Sequence, residues 1–207
     1  MLNTRSLSIF PRIVLTILLG VAPAVARAAD SAETVIKHLI DQVSTNLNQL
    51  YKQNRIGDRP ALEQLIRTDI LPSVDRQRLT QRVFRQYWPQ ITAAGQQADA
   101  QDRVTNSLVR TYAAALSSYS GDTLTVVNVN EEGAKATAKT RIRRPNGQTI
   151  QVDFALDNTG GTWRINDLAV DGIVVSLTLF NAIKPIWEKD GMAAALNAVS
   201  EVDVNKQ

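Results

Sequence analysis

The chain contains no cysteine and a single histidine, His38, among its 207 residues. Without cysteine there are no disulfides, no thiolate nucleophiles and no cysteine zinc sites. His38 falls nearly opposite the apolar stripe of its helix, a solvated position, and with no second histidine and no cysteine, zinc sites and histidine-dependent catalytic triads drop out. No glycine-rich phosphate loop follows a strand, and no Gly-x-Ser-x-Gly elbow occurs. Excess charge is missing as well. The net charge of +3 comes from Arg5, Arg12 and Arg27 in a stretch that holds no acid. Beyond residue 28, 20 Lys and Arg balance 20 Asp and Glu, which removes the electrostatic case for nucleic-acid binding.

The first 28 residues are laid out as a secretory signal. Arg5 and Arg12 form a positive region, Ile13 to Val25 a short apolar run, and Ala26-Arg27-Ala28 a small-x-small cleavage site. The apolar run falls short of the roughly 20 residues that a membrane-spanning helix needs. Cleavage after Ala28 is expected, leaving 29–207 as one exported domain large enough for a packed core. An exported chain without disulfides suits the bacterial periplasm.

From Ser31 to Asn54, Val35, Ile36, Leu39, Ile40, Val43, Leu47, Leu50 and Tyr51 recur at helical spacing. Gly57 ends that helix, and Asp58-Arg-Pro60 restarts one with proline in its first turn. After Leu71-Pro72-Ser73 a third helical stretch runs to Trp88, where Pro89 is expected to end or kink it. Asp99 is expected to cap a long helix whose buried side carries Val104, Leu108, Thr111, Tyr112, Ala115 and Tyr119. Past Gly121 the period changes from 3.6 to 2. Strands are expected over Thr123–Val129, Ala134–Arg143, Gln148–Leu156 and from Trp163, with Pro145-Asn146-Gly147 as a hairpin turn. Helices first, then a meander, then closing helices indicate an α+β fold: a helical layer on a curved four-stranded antiparallel sheet.

Two segments stand out. In the second strand, Ala134, Ala136, Ala138, Thr140 and Ile142 point one way and Lys135, Thr137, Lys139, Arg141 and Arg143 the other. The small side admits either a helix packed very close or space left for a ligand. The basic side is either a plain solvated face or a docking face for an acidic partner or anionic head groups. Further on, Ile173 to Trp187 has 10 hydrophobic residues in 15, covering roughly 200° of a helix where a surface helix needs little over about 100°. Such a helix has apolar neighbours on two sides.

Carboxylates are the one catalytic resource left. Asp153 lies on a polar strand face, Asp157 just past that strand, and Asp171 in a turn before Gly172. Asp167 is placed to cap the start of the final helix from a buried or half-buried position. A carboxylate pair can hydrolyse glycosides, but these positions have structural uses and no active site emerges.

The order of features resembles the MlaC family of periplasmic phospholipid-binding proteins, also called toluene-tolerance proteins. The resemblance is carried by Ile70-Leu71-Pro72, Tyr87-Trp88, Val109-Arg-Thr-Tyr-Ala-Ala-Ala-Leu116 with Tyr119-Ser-Gly121, Arg144-Pro-Asn-Gly147, Trp163-Arg-Ile-Asn-Asp167 and Asp171-Gly172. It spans about residues 33 to 200. It implies a non-enzymatic shuttle, without cofactor or metal, that holds phospholipid acyl chains between helices and sheet. Its implied partners are an inner-membrane lipid ABC transporter complex and an outer-membrane lipoprotein–porin complex. Where the family usually reads Gly-Val-Ser-Leu this chain has Gly172-Ile173-Val174-Val175, and Leu179-Phe180 replaces a common Tyr-Arg pair. A hopanoid or other apolar lipid is therefore an alternative cargo, and a non-lipid envelope interaction module an alternative class. Strand parity and the helical stripe place Tyr112, Val126, Ala136, Ala138, Ile150, Val152, Phe154, Ile165, Val175, Leu179, Phe180 and Ile183 around the expected cavity.

Overall fold

The computed structural model describes residues 30–202; the expected signal segment lies outside the described residues. Helix α1 (Ala32–Lys52) begins where the Ser31 hydroxyl accepts the Thr34 N–H, with Glu33 favourably placed in the first turn. It buries Ile36, Leu39, Ile40, Val43 and Leu47 along one stripe. The Ala32 N–H donates to the Glu131 carboxylate (2.8 Å), tying the helix start to the far end of the first strand. Asp58 caps α2 (Arg59–Leu65) in the same way, and Pro60 sits in its first turn. A π turn (Ile66–Ile70) and a 3-10 turn (Leu71–Ser73) then carry the chain to Val74, which bridges to Ile165 in the sheet.

The next helix corrects two boundaries. Helix α3 (Arg76–Phe84) stops at Arg85, whose φ of 46° is left-handed, and Pro89 lies in the first turn of α4 (Trp88–Ala93). Pro89 thus opens a helix instead of closing one, because a first-turn position needs no amide hydrogen. Helix α5 (Gln97–Leu116) has Gln96, not Asp99, at its N-cap. Asp99 lies within the first turn, where its charge suits the positive helix end and its carboxylate accepts from Arg103 (2.7 Å).

The sheet is an antiparallel meander in sequence order: β1 (Thr123–Glu132), β2 (Lys135–Arg143), β3 (Thr149–Thr159), β4 (Thr162–Val170) and β5 (Ile173–Val174). The fifth strand adds to the four expected and takes the first two residues of the expected closing helix. Asp171 (φ 48°) and Gly172 (φ 83°) make the two-residue hairpin between β4 and β5, which needs positive φ at both positions. Helix α6 (Val175–Val199) follows, with Pro185 inside it and a non-helical Gly191 (φ 80°) dividing it. The two closing helices of the sequence reading are its segments on either side of Gly191.

The start of α6 is held by the sheet. Val174, at its N-cap, has no capping side chain. Asp167, buried on β4, takes that role: Oδ2 accepts the Ser176 hydroxyl (2.6 Å), and Oδ1 accepts the N–H groups of Ser176 (3.3 Å) and Leu168 (2.9 Å). Arg82 stands 3.7 Å from the same carboxylate. Removing the Asp167 carboxylate takes the acceptor from three donors, of which the Ser176 hydroxyl and N–H are buried, at about 1–3 kcal/mol per unpartnered buried group. Asp167→Ala is therefore expected to destabilise the fold by about 3 kcal/mol. Urea unfolding would show this as a lowered midpoint at unchanged slope; a loss under about 0.5 kcal/mol would show that the carboxylate does not hold α6.

Candidate functional site

Helices cover the inner face of the sheet with two separate apolar bodies. One joins α1, α2, the π turn and the later part of α5 (Val109, Ala113) to Ala136, Ala138, Leu156, Trp163 and Ile165 of the sheet. The other joins α3, α4, the earlier part of α5 (Val104, Leu108) and α6. Two half-buried residues, Val74 and Tyr112, pack against both.

The residues expected around one cavity divide accordingly. Ala136, Ala138 and Ile165 are buried in the first body, with Val126 and Phe154 half-buried against it. Val175, Leu179, Phe180 and Ile183 are buried in the second. Tyr112 lies at the seam. Ile150 and Val152 are half-buried and pack against neither. The small inward face of β2 is used for close packing at Ala136 and Ala138, since α1 lies over β1 and β2. Small side chains let the helix approach there.

Toward the other end of the same face, cover is incomplete. Ile142 pairs with Ile150, while Thr140, Val152, Val170 and Ile173 form a row across four strands. Ile142, Ile150, Val152 and Val170 are all half-buried outside both apolar bodies. At the rim, Ile173 is 54% exposed, Val174 37% and Leu177 40%. The only polar member of the row, Thr140, is neutralised by donating to the Val152 carbonyl (2.7 Å). Apart from Thr140, which is itself buried, the row is aliphatic and only half covered.

Val170 and Leu168 belong to this face and were missed from the sequence. The reason is a bulge: Ala155 pairs with Asp167 but Leu156 with Ile165, so Asn166 is an extra residue on β4. It reverses the alternation, and the parity of Trp163 and Ile165 no longer applies beyond it. A second bulge, between Val126 and Asn128, does the same in β1. Two surface depressions, of about 540 and 420 Å³, are lined elsewhere and include none of the expected cavity residues.

The polar groups nearby have structural partners. Asp157 pairs with Arg78, Asp153 accepts from the Gln151 side chain (2.9 Å), and Asp171 accepts the Gln151 N–H (2.8 Å). His38 is exposed on α1. Among the described residues no three His, Cys, Asp or Glu side chains are grouped to hold a metal. Tyr87 stacks on Trp187 (4.5 Å between ring centres) and donates to Glu188 (3.1 Å), while the Arg85 guanidinium lies 5.1 Å over Phe180. These contacts fasten α6 to the turn between α3 and α4.

Enclosure pushes the Tyr112 phenol well above its ordinary pKa, and the Asp167 charge adds to the shift. The folded state therefore keeps this proton after the unfolded chain has lost it. The stabilisation is full below the unfolded value of about 10 and is lost as pH rises beyond it. Tyr87 and Tyr119 are shifted the same way, chiefly by burial. Tyr112→Phe is expected to keep part of the stability that the parent chain loses above about pH 10. Thermal unfolding across that range measures it, and identical alkaline losses in both chains would show that Tyr112 is not enclosed.

The chain is similar to known proteins in sequence and in fold. The chain is 23% identical, over 182 residues, to the toluene tolerance protein ttg2D of Pseudomonas putida; the match covers 86% of this chain and 82% of that protein. It shares its fold with a phospholipid-binding protein from Ralstonia solanacearum, solved in complex with a phospholipid, at a TM-score of 0.73 and 22% identity. That match covers 85% of this chain and 98% of the other. The family model described as MlaC protein matches residues 37–201, so the chain belongs to the MlaC family.

Proposed function

We propose that this chain is a phospholipid carrier of the bacterial periplasm. The observation that carries the reading is the half-covered aliphatic row Ile142, Ile150, Val152 and Val170, on the sheet face that the two helical bodies otherwise close. A buried methylene gains about 0.8 kcal/mol on leaving water, so two acyl chains bind firmly with few polar contacts. Binding without catalysis is consistent with carboxylates engaged in structural bonds. The phospholipid held by the Ralstonia relative, on the same fold, supports the choice of cargo.

In this reading the acyl chains enter over the half-covered row and run along the seam at Tyr112. The predicted wall residues Val126, Phe154 and Ile165 bound that seam on one side, and Val175, Leu179, Phe180 and Ile183 on the other. Because the latter four are buried in side-chain contacts, a bound lipid requires the two apolar bodies to separate. The signal segment delivers the chain to the periplasm, where it carries lipid between an inner-membrane ABC transporter complex and an outer-membrane lipoprotein–porin complex.

The chain purified from periplasm should yield diacyl phospholipid in native mass spectrometry. A chain that carries no lipid and takes up none from vesicles would overturn the proposal. Val152→Asp places a charge in the acyl path at a position that tolerates solvent. It should lower lipid retention at least about tenfold, since burying a carboxylate unpaired costs more than the 1.4 kcal/mol that this ratio represents. The melting temperature should fall by only a few degrees. Unchanged retention in this variant would remove the row from the binding path.

A further inference from the structure

We infer that Tyr112 gives the carrier its chain-linkage specificity: its hydroxyl donates to an ester carbonyl of the lipid in the seam, favouring ester-linked over ether-linked chains. The inference rests on the carrier reading and assigns a polar contact within its apolar passage. Burial withdraws three phenols from water, those of Tyr87, Tyr112 and Tyr119. Tyr87 donates to Glu188 (3.1 Å) and Tyr119 to Asn48 (2.8 Å). The Tyr112 hydroxyl has no hydrogen-bond partner among the described residues. An enclosed phenol ordinarily finds a partner, and one left idle is unfavourable.

Position and charge select the acceptor. Tyr112 packs against both apolar bodies, and among the residues read as walls of the passage it alone bears a polar side-chain atom. The hydroxyl of Thr140, in the half-covered row, is already engaged by the Val152 carbonyl (2.7 Å). Ile165 is buried in the first body and Leu168 packs against the second, so the seam crosses β4 at Asn166 and Asp167. The Asp167 charge acts on the Tyr112 phenol, and enclosure together with that charge keeps the phenol protonated, hence a donor. A phosphate drawn to this donor would meet a like charge away from water, which is unfavourable. An ester carbonyl accepts the same hydrogen bond without adding charge. A diacyl phospholipid carries one at the head of each chain, and its ether analogue lacks that oxygen while keeping the chains and the head group.

Competition between the two linkages tests it. The periplasmic protein is incubated with vesicles holding equal amounts of diacyl phosphatidylethanolamine and its dialkyl ether analogue, and the lipid retained is read by native mass spectrometry. The parent should retain the diacyl form about fivefold better, the ratio that one neutral hydrogen bond of ordinary strength gives. Tyr112→Phe, which removes only the hydroxyl, should lower retention of the diacyl form and hold the two lipids alike. Val152→Asp, in the proposed acyl path, should weaken both lipids and keep the preference. Each ratio is read within one protein, so a change in stability does not move it. A parent that holds the two lipids equally, or a preference that survives in Tyr112→Phe, would overturn the proposal and leave the carrier reading standing. A parent that retains neither lipid would overturn both.

Discussion

A sheet with one apolar face depends on what covers that face, and in this protein the cover comes as two bodies with a seam between them. Each helical body is closed on its own. They touch through Tyr112 and Val74, and their mutual contact does not extend to Ile142, Ile150, Val152 and Val170. A continuous core would be more stable and would have no place for an apolar guest. A divided one keeps most of the burial that stabilises the fold, and in the proposed reading its boundary parts to admit the lipid.

The second body would not sit correctly without a polar anchor. Helix α6 starts on an edge strand two residues long, with no capping side chain of its own. Asp167 supplies the cap from the sheet, reaching Ser176 across a hairpin whose Asp171-Gly172 turn takes positive φ at both positions. At the other side, the Tyr87–Trp187 stack and Arg85 over Phe180 hold α6 to the turn that follows α3. Gly191 ends this rigid stretch, and the segment beyond it packs Ala195, Leu196 and Val199 into the same body. The helix is therefore fixed at its start and along its side, while the sheet face beside its first turn stays partly open.

Much of this was legible in the sequence because it is local. The α1 stripe, the Asp58 cap with Pro60, the change of period after Gly121 and the four long strands follow from spacing and turn chemistry. The Asp167 cap was legible too, since a carboxylate at a strand end just before an apolar helix has few other uses. What escaped depends on register. One inserted residue at Asn166 reverses the faces of β4, which hid Leu168 and Val170. Ile173 and Val174 read as helix because an apolar run has no period that separates two strand residues from a first helical turn. Pro89 could end one helix or begin another, and the left-handed Arg85 that decided it leaves no mark in composition. The division of the expected wall residues between two bodies is tertiary, and pattern alone assigned them to one cavity.

The central claim is that acyl chains lie over the half-covered row and along the seam. Photo-crosslinking with a phospholipid carrying a diazirine in its acyl chain, followed by peptide mapping, tests it most directly. The account predicts adducts on Ile142, Ile150, Val152 and Val170 and on Tyr112 at the seam. Adducts confined to the outer face of the sheet, or to the depression lined by Thr45, Asn48 and Lys52, would contradict it.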